Sequence, residues 1–428
     1  MNDLYAVTPL SKPPVCTVQV PGSKSITNRA LILAALAQPA IKGPSYSQLE
    51  NALRSEDTEV MVESLQRLGI AVHTDWESDR ITVPCAPVSQ WKPHADFFCG
   101  NSGTTIRFLT AMLSLGNGSY RLDGVERMRQ RPIGDLLEAL RALHVNISTE
   151  LRPDCPPLQL NAAGLHGGVV SIRSDISSQF LSALLMASCY AHKETIIHVP
   201  GALVSQPYVQ LTIQMMKQWG VDVEEMHDPD LSYRIKLQRY TARTYAIEPD
   251  ASSASYFWAA AAITGGRVTV PGLADSMQGD AAFRHVLKRM GCTLPDQNTV
   301  QGTPLTGIDI DMNAISDTVM TLAVVALFAQ GTTTIRNVAH IRHKETDRLA
   351  ALASELRKTG AIVDEHPDGL TIHPRPLHGA VFDTYNDHRM AMSLALIGLR
   401  IPGVQVRNPG CTAKTYPRYW QDLENLRQ

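Results

Sequence analysis

The run VPGSKSITNRALILAALA, residues 20–37, contains the pattern from which the rest of the chain can be interpreted. Its second half is apolar on nearly every side, which predicts a helix buried in a core. Its first half holds a Pro-Gly corner, two serines and the cations Lys24 and Arg29. A positive charge beside apolar surface is costly unless an anion accompanies it. The run therefore predicts a buried helix whose first turn meets an anionic ligand.

The same design, a polar start followed by an apolar helix, occurs six times. The other five runs are GNSGTTIRFLTAMLSL, SDISSQFLSALLMASC, DASSASYFWAAAAI, SDTVMTLAVVALFA and NDHRMAMSLALIGL. Ser, Thr, Asp and Asn are natural N-caps, and helix N-termini bind anions readily because they carry unpaired N–H groups and partial positive charge. Six such starts predict one convergent anion site, and a cleft between domains is a usual place for it.

A second theme alternates with the first. An amphipathic helix ends in a glycine and leads into an alternating strand, and the theme returns about every 70 residues. Glycine just past the last apolar turn is a helix C-terminal signal. The helix-ending residues are Gly69, Gly220, Gly291 and Gly360, with His144 as the exception.

Together the themes predict an α/β (α+β) protein of six repeated units, each with two helices and several strands. A chain of 428 residues has room for two domains, so we expect three units in each. The sixth unit lacks a closing strand, which the segment LYAVTPLSKPPVCTVQV can supply. The expected domains are residues 21–244, and residues 1–20 together with 245–428.

Composition excludes several classes of protein. The formal net charge of −2 argues against a general nucleic-acid binder. No apolar run reaches the roughly 20 residues that span a bilayer, and the N-terminus lacks the pattern of a signal peptide. Seven scattered cysteines suit free thiols in a reducing cytosol. We therefore expect a cytoplasmic protein without nucleic-acid or membrane partners. Metal-ligand spacing and the G-x-x-x-x-G-K-[ST] phosphate loop are both absent from the sequence.

Basic residues next to apolar helices and glycine turns are the candidate anion ligands. An arginine fork binds two oxygens of a phosphate or carboxylate at once, so these residues suit substrates with several negative charges. They are Lys24, Arg29, Arg107 and Arg131 in the first half, and Lys344, Arg348, Arg389 and Lys414 in the second.

Acid–base candidates are fewer. Asp317 lies at a buried-helix start, and Glu345 stands between Lys344 and Arg348; nearby cations favour the ionised carboxylates, whereas burial opposes them. The NDHR run adds Asp387 and His388. A lone aspartate in such a place is more often a helix cap than a catalyst.

Ten runs, in order, give the chain a family resemblance. They are PGSKSITNRA, GNSGTTIR, RMRQRPIGDL, SSQFLSALLM, DASSASYF, QGD, DTVMTLA, KETDR, NDHRMAM and CTAKTYP. With these runs the sequence resembles the 5-enolpyruvylshikimate-3-phosphate synthase family nearly end to end. The resemblance implies two domains, each of three βαβαββ units. It also implies transfer of the enolpyruvyl group of phosphoenolpyruvate to the 5-hydroxyl of shikimate 3-phosphate by addition and elimination. No metal or organic cofactor is expected, and we expect a monomer.

The resemblance also implies roles for individual residues. Asp317 matches the acceptor of the hydroxyl proton, Glu345 the donor to the methylene carbon, and Lys24 can share in proton transfer. The shikimate 3-phosphate contacts are Lys24, Ser25, Arg29, Ser177, Ser178, Gln179, Ser205, Asp317 and Lys344, with Tyr208 nearby. The phosphoenolpyruvate contacts are Lys24, Gly103, Arg131, Gln179, Arg348, Arg389 and Lys414.

Two positions depart from the family pattern. His340 stands where many members have an asparagine that helps hold shikimate 3-phosphate, and Phe108 follows Arg107 where proline is common. Gly103, in place of alanine, predicts sensitivity to glyphosate in competition with phosphoenolpyruvate.

Three alternatives stay open. A UDP-N-acetylglucosamine enolpyruvyl transferase is the nearest, although it typically has a reactive cysteine in the loop that reads ERMRQRPIG here. A non-catalytic anion-binding homologue and a domain of a multifunctional polypeptide are the others. Phosphate release from each substrate pair discriminates the two enzymes and the inactive homologue.

Overall fold

The computed structural model describes residues 4–41, 43–228 and 230–427, which form a mixed α/β structure. By its internal contacts the chain divides into two compact units. The inserted unit is Gly22–Ile247, and the terminal unit joins the chain up to Pro21 with the chain from Glu248 onward.

Twelve α-helices occur in the described residues, and two kinds alternate along the chain. Odd-numbered helices are buried on most sides, as the apolar runs predict: α1 Lys24–Leu36, α3 Gly103–Leu113, α5 Ser178–Ser188, α7 Ala251–Thr264, α9 Val319–Ala326 and α11 His388–Ala395. Even-numbered helices have one exposed face: α2 Glu56–Arg67, α4 Gly134–Ala142, α6 Gln206–Gln218, α8 Phe283–Arg289, α10 Arg348–Arg357 and α12 Tyr419–Asn425.

The glycine signals mark left-handed backbone after the amphipathic helices. Gly69, Gly220, Gly291 and Gly360 have φ between 93° and 119°, a region that side chains rarely adopt. His144, which stands where the other four repeats have glycine, also adopts a left-handed backbone conformation, with φ of 66°. The helix-ending pattern is thus confirmed at all five positions.

Each buried helix is followed or preceded by strands of a small sheet. The inserted unit has three four-stranded sheets, each with one parallel pair and two antiparallel pairs. In spatial order they are β14 (Thr244–Ala246), β3 (Tyr46–Glu50), β5 (Arg80–Pro84) and β4 (His73–Asp75); β6 (His94–Phe98), β7 (Asn117–Asp123), β9 (Leu158–Ala163) and β8 (Asn146–Thr149); and β10 (Gly168–Ser171), β11 (Thr195–His198), β13 (Ser232–Ile235) and β12 (Glu224–Met226).

The terminal unit has one four-stranded sheet with this pattern and two three-stranded sheets, each with one parallel and one antiparallel pair. They are β17 (Asp309–Asp311), β18 (Thr333–Arg336), β20 (Gly369–His373) and β19 (Ile362–His366); β16 (Thr299–Gln301), β15 (Arg267–Thr269) and β2 (Val15–Thr17); and β1 (Leu4–Ala6), β22 (Gln405–Arg407) and β21 (Val381–Phe382). β1 pairs antiparallel with β22, with Leu4 opposite Arg407. The prediction that the N-terminal segment supplies a strand to the last unit is therefore confirmed.

The core of the terminal unit is centred on α7, α9 and α11. The C-terminal helix α12 is attached by aromatic packing, in which Tyr419 meets Tyr256 edge-on at 5.7 Å and Tyr416 meets Phe257 at 6.1 Å between ring centroids. Apolar burial of this kind contributes about 25 cal/mol per Å². Because the middles of these helices are tightly packed, their polar first turns are held in fixed places.

Candidate active site

Arg29 lies inside the inserted unit and is 1% exposed. Its guanidinium donates to the hydroxyls of Thr212 at 2.7 Å and Ser182 at 3.4 Å, and to the carbonyl oxygens of Ser25 at 3.0 Å and Tyr208 at 3.2 Å. Burial lowers its pKa to about 10, so the group stays charged at neutral pH. Arg29 thus fixes Ser25 and Tyr208, two predicted shikimate 3-phosphate contacts.

Lys24 is the first residue of α1, and its Nζ lies 3.0 Å from Oδ2 of Asp57. Asp57 is in the first turn of α2, where negative charge is favourable. Both side chains are largely buried. The ammonium group is therefore positioned by a carboxylate. Asp57 is not predicted from the sequence, because nothing in the SEDTEV run connects it with residue 24.

Two guanidinium groups flank the N-terminus of α3. Arg107 donates to Oε1 of Gln179 at 2.7 Å, and Arg131 donates to the carbonyl oxygen of Asn101 at 3.0 Å. A Cβ atom on Gly103 would lie 2.6 Å from Nη2 of Arg131 and 3.0 Å from Nη1 of Arg107. A side chain at this position would therefore displace the guanidinium ends of the two arginines. Two guanidinium groups at a helix N-terminus form a site that strongly favours an anion.

The predicted serine contacts lie at two more helix starts of the inserted unit. Ser177 caps α5 by accepting from the Gln179 N–H at 3.3 Å, and Ser178 follows it. Ser205 precedes α6 with a left-handed φ of 50°. All three serines are at most 5% exposed. Gln179 connects this group to Arg107 and so to the arginine pair at α3.

The terminal unit holds the acid–base candidates in one ion-pair cluster. Asp317 accepts from Arg389 at 2.8 Å through Oδ2 and from Arg348 at 3.2 Å through Oδ1, and Lys344 Nζ lies 4.0 Å away. Burial would raise the pKa of Asp317, but the charges of Arg389, Lys344 and Arg348 outweigh it and hold this pKa well below its usual range. Asp317 is therefore an ionised carboxylate.

Glu345 belongs to the same cluster, and its side chain is 7% exposed. Its Oε2 accepts from Arg348 at 3.0 Å, and its Oε1 lies 3.9 Å from Nζ of Lys414. Lys414 comes from the 3₁₀ segment Pro409–Lys414 and is buried. Two carboxylates, on Glu345 and Asp317, thus share Arg348 but differ in their second cation.

Asp387 orders the arginines of the cluster. It is completely buried and accepts from Arg348 at 2.8 Å and 3.3 Å. It also caps α11 by accepting from the Arg389 N–H at 2.9 Å. Burial would lower the pKa of Arg348, but Asp387, Glu345 and Asp317 raise it, so the guanidinium is permanently charged. Asp387 is a cap, as its position in sequence suggested, and a counter-ion as well.

The two departures from the family pattern are both buried. His340 bonds through Nε2 to the Ser316 hydroxyl at 2.9 Å. Burial, followed by the charge of Lys344, lowers its pKa to about 3, so the imidazole is neutral. The Phe108 ring lies 5.1 Å from Cζ of Arg29 and is 1% exposed, which makes it a packing partner of that cation.

Further partners of the site residues were not predicted from the sequence. They include the hydroxyls of Thr212, Ser182, Ser252 and Ser316 and the carbonyl oxygen of Asn101. Each lies far from its partner in the sequence or in an ordinary polar run, so spacing alone offers no signal for it.

Within residues 4–41, 43–228 and 230–427, no three His, Cys, Asp or Glu side chains are grouped so that they could hold a metal ion. Among the same residues no helix combines the length and apolar character needed to cross a membrane.

The chain is similar to known proteins over nearly its whole length. A family model described as EPSP synthase (3-phosphoshikimate 1-carboxyvinyltransferase) matches residues 11–423. The 3-phosphoshikimate 1-carboxyvinyltransferase of Nostoc punctiforme is 47% identical over 424 residues, which cover 98% of either chain. The enzyme of that name from a Marinomonas species is 45% identical over 409 residues, covering 94% of this chain and 95% of the relative.

A solved structure shares the fold. The EPSP synthase of Acinetobacter baumannii superimposes with a TM-score of 0.80 at 22% identity, covering 99% of this chain and 98% of that one. The similarity in fold therefore extends over essentially the whole of both chains. From the family model and the relatives above, the chain belongs to the EPSP synthase family.

Proposed function

We propose that this protein transfers the enolpyruvyl group of phosphoenolpyruvate to the 5-hydroxyl of shikimate 3-phosphate and releases phosphate. The observation that carries the proposal is the cluster in which Asp317 and Glu345 share Arg348. Addition of a hydroxyl to an enol requires one group to accept a proton and another to donate one. Two carboxylates in different surroundings can divide these roles.

Asp317 is the proton acceptor in this proposal. Its low pKa keeps it ionised, so it can take the proton of the 5-hydroxyl as oxygen attacks C2 of phosphoenolpyruvate. A base with so low a pKa is weak on its own. The attacked carbon must therefore be activated at the same time, which is the task of an acid at C3.

Glu345 is that acid. In the described structure Arg348 and Lys414 favour its ionised form, since both are cations within 4 Å. A carboxylate and a phosphate bound to those cations would offset their charge and make the protonated form of Glu345 more accessible. Binding of phosphoenolpyruvate is thus coupled to loading the acid. Lys24 is proposed as a further carrier of protons between addition and elimination.

The cations have a separate task. Lys24, Arg131, Arg348, Arg389 and Lys414, with Gly103 and Gln179, are assigned to phosphoenolpyruvate. Fixed positive charge in a buried place stabilises the anionic tetrahedral intermediate without reorganising at each step. Holding two anions together also converts a bimolecular reaction into an effectively unimolecular one.

Shikimate 3-phosphate is assigned to the helix starts of the inserted unit and to two residues of the terminal unit. The serine hydroxyls donate to phosphate or ring hydroxyls, and Arg29 supplies a charge beside Ser25. The full set is Lys24, Ser25, Arg29, Ser177, Ser178, Gln179, Ser205, Asp317 and Lys344.

We further propose that the protein acts as a cytoplasmic monomer. The seven cysteines are free thiols in the structure, which suits a reducing compartment. Light scattering coupled to size exclusion tests the monomer, and a mass near twice 46.9 kDa would contradict it.

The reaction is tested by phosphate release. Purified protein with phosphoenolpyruvate and shikimate 3-phosphate should release phosphate and form a product heavier by the enolpyruvyl group. Phosphoenolpyruvate with UDP-N-acetylglucosamine should release none. If phosphate is released only with the pair that contains UDP-N-acetylglucosamine, the protein is a UDP-N-acetylglucosamine enolpyruvyl transferase. If neither pair releases phosphate, it is a non-catalytic anion-binding homologue.

A further inference from the structure

Glu355 is a buried carboxylate that the proposed chemistry does not use. It lies on α10 two turns beyond Arg348 and is 0% exposed. Its Oε2 accepts from Nζ of Lys358 at 2.7 Å and from the Asp383 N–H at 2.9 Å, and its Oε1 accepts from the Tyr385 hydroxyl at 2.7 Å. A buried carboxylate is costly unless such donors surround it. Two of the three donors belong to the segment that precedes α11.

That segment has an unusual backbone. Tyr385 and Asn386 are consecutive and both have φ of 54°, in the left-handed region that non-glycine residues rarely adopt. Such conformations persist only where surrounding contacts determine them, and they cluster at functional sites. The Tyr385 hydroxyl bond to Glu355 is one such contact, and the bond from Asn408 to Oδ1 of Asn386 at 3.1 Å is another.

The strained turn leads directly into the ion-pair cluster. Asp387 follows Asn386, bonds Arg348 twice and caps the helix that carries Arg389. Arg389 in turn bonds Asp317. Glu355 therefore links the helix of one cluster arginine, Arg348, to the turn that delivers the other.

We propose that Glu355 is a positioning residue for the reaction. By tying α10 to the turn 383–386, it fixes the distance between Arg348 and Arg389, and so the geometry of the phosphoenolpyruvate cations. This inference rests on the proposed function of those two arginines. A role in stability alone would leave the kinetic constants of the folded enzyme unchanged.

Two variants test the link. Glu355→Gln keeps an oxygen for Tyr385 but replaces the other oxygen with an NH₂ group, which cannot accept from the Asp383 N–H. Tyr385→Phe removes one bond from a residue that is 43% exposed, so folding is little affected. The matched control is Tyr5→Phe, which removes a Tyr–Glu bond of 2.9 Å to Glu424 in the same unit.

The expected result separates the two substrates. In Glu355→Gln the KM for phosphoenolpyruvate rises on the order of tenfold, since a small displacement of positioned groups is costly, while the KM for shikimate 3-phosphate stays within about twofold. In Tyr385→Phe the KM for phosphoenolpyruvate also rises, but by a smaller factor. Peptides covering residues 383–389 exchange backbone hydrogen faster in both variants, and Tyr5→Phe changes neither the exchange nor the KM.

Three results would overturn the inference: unchanged exchange at 383–389, a parallel rise in both KM values, or lower stability with unchanged kinetics. If Glu355→Gln does not fold, Tyr385→Phe decides by the same criteria. If the wild-type protein fails to turn over the two substrates, the proposed function fails, and the exchange comparison still decides whether Glu355 holds the turn.

Discussion

The two units hold their site arginines in different ways. In the inserted unit the hydrogen bonds described for Arg29, Arg107 and Arg131 go to hydroxyl, amide and carbonyl oxygens. In the terminal unit Arg348 and Arg389 bond carboxylates, and Arg348 has three of them. Neutral acceptors leave positive charge to attract an anion, whereas carboxylates neutralise it and are themselves held ionised. In the proposed function the arginines of the inserted unit therefore serve substrate binding alone, whereas Arg348 and Arg389 of the terminal unit bind phosphoenolpyruvate and also keep Asp317 ionised for proton transfer.

The largest effect is expected where a carboxylate of the terminal unit is removed. Glu345→Ala should retain binding of both substrates but lower kcat by roughly 10²–10⁴, the usual contribution of a positioned acid. Steady-state phosphate release measures it. Glu365→Ala on β19, whose partner is Arg342 near the surface, serves as the control and should keep full turnover. Unchanged turnover in Glu345→Ala would remove its catalytic assignment.

The next effect concerns the arginine pair of the inserted unit. In Gly103→Ala the new Cβ would press on Arg131 at 2.6 Å, so the KM for phosphoenolpyruvate should rise about tenfold or more. Competitive inhibition by glyphosate should weaken in the same variant if it occupies the same place. The KM for shikimate 3-phosphate is the internal control, and an equal rise in both constants would contradict selective crowding at Arg131.

The hydrogen bonds of the buried Arg29 guanidinium to neutral acceptors should contribute to the free energy of unfolding. Thr212→Val removes the hydroxyl that accepts from Arg29 at 2.7 Å, leaving a buried donor unmet at a cost of about 1–3 kcal/mol. Thr110→Val is the control, because that hydroxyl bonds only a carbonyl of its own helix at 2.6 Å. Urea unfolding of both variants measures the difference. Equal losses would show that Arg29 does not depend on Thr212.

A pH dependence of stability is expected from His340. Its pKa falls from an ordinary 6.5 to about 3 in the folded protein, so between these values the unfolded chain binds a proton that the folded chain does not. Stability therefore decreases as pH falls through this window, by at most about 1.4 kcal/mol per pH unit. His340→Asn should remove that slope in unfolding measured between pH 6 and pH 4. An identical slope in the variant would refute a neutral His340.

The sequence predicts the helices of this fold better than their partners. Apolar runs with polar starts identify the six buried helices, and the missing strand of the last unit led to Leu4–Ala6. The packing of Arg29 against Thr212, and of Glu355 against Tyr385, depends on residues distant in sequence or on a left-handed turn. No local pattern encodes such contacts, because tertiary packing alone brings the groups together.

The sequence predicts which residues belong to the site better than it predicts which residues they bond. The cations and the two carboxylates were expected from their motifs, and the cluster around Arg348 unites five of them: Asp317, Lys344, Glu345, Arg389 and Lys414. Asp57 and Asp387 act through charge at positions where a helix cap or first-turn acid is ordinary. Their second role follows only from the folded geometry.

Isotope uptake tests the division of labour between the carboxylates most directly. In D₂O, with shikimate 3-phosphate present, the wild-type protein should place deuterium from solvent at the methylene carbon of recovered phosphoenolpyruvate and of product, since C3 is protonated and then deprotonated. Glu345→Gln should bind both substrates and incorporate almost none. Undiminished incorporation by Glu345→Gln, or incorporation by the wild-type protein without shikimate 3-phosphate, would contradict the account.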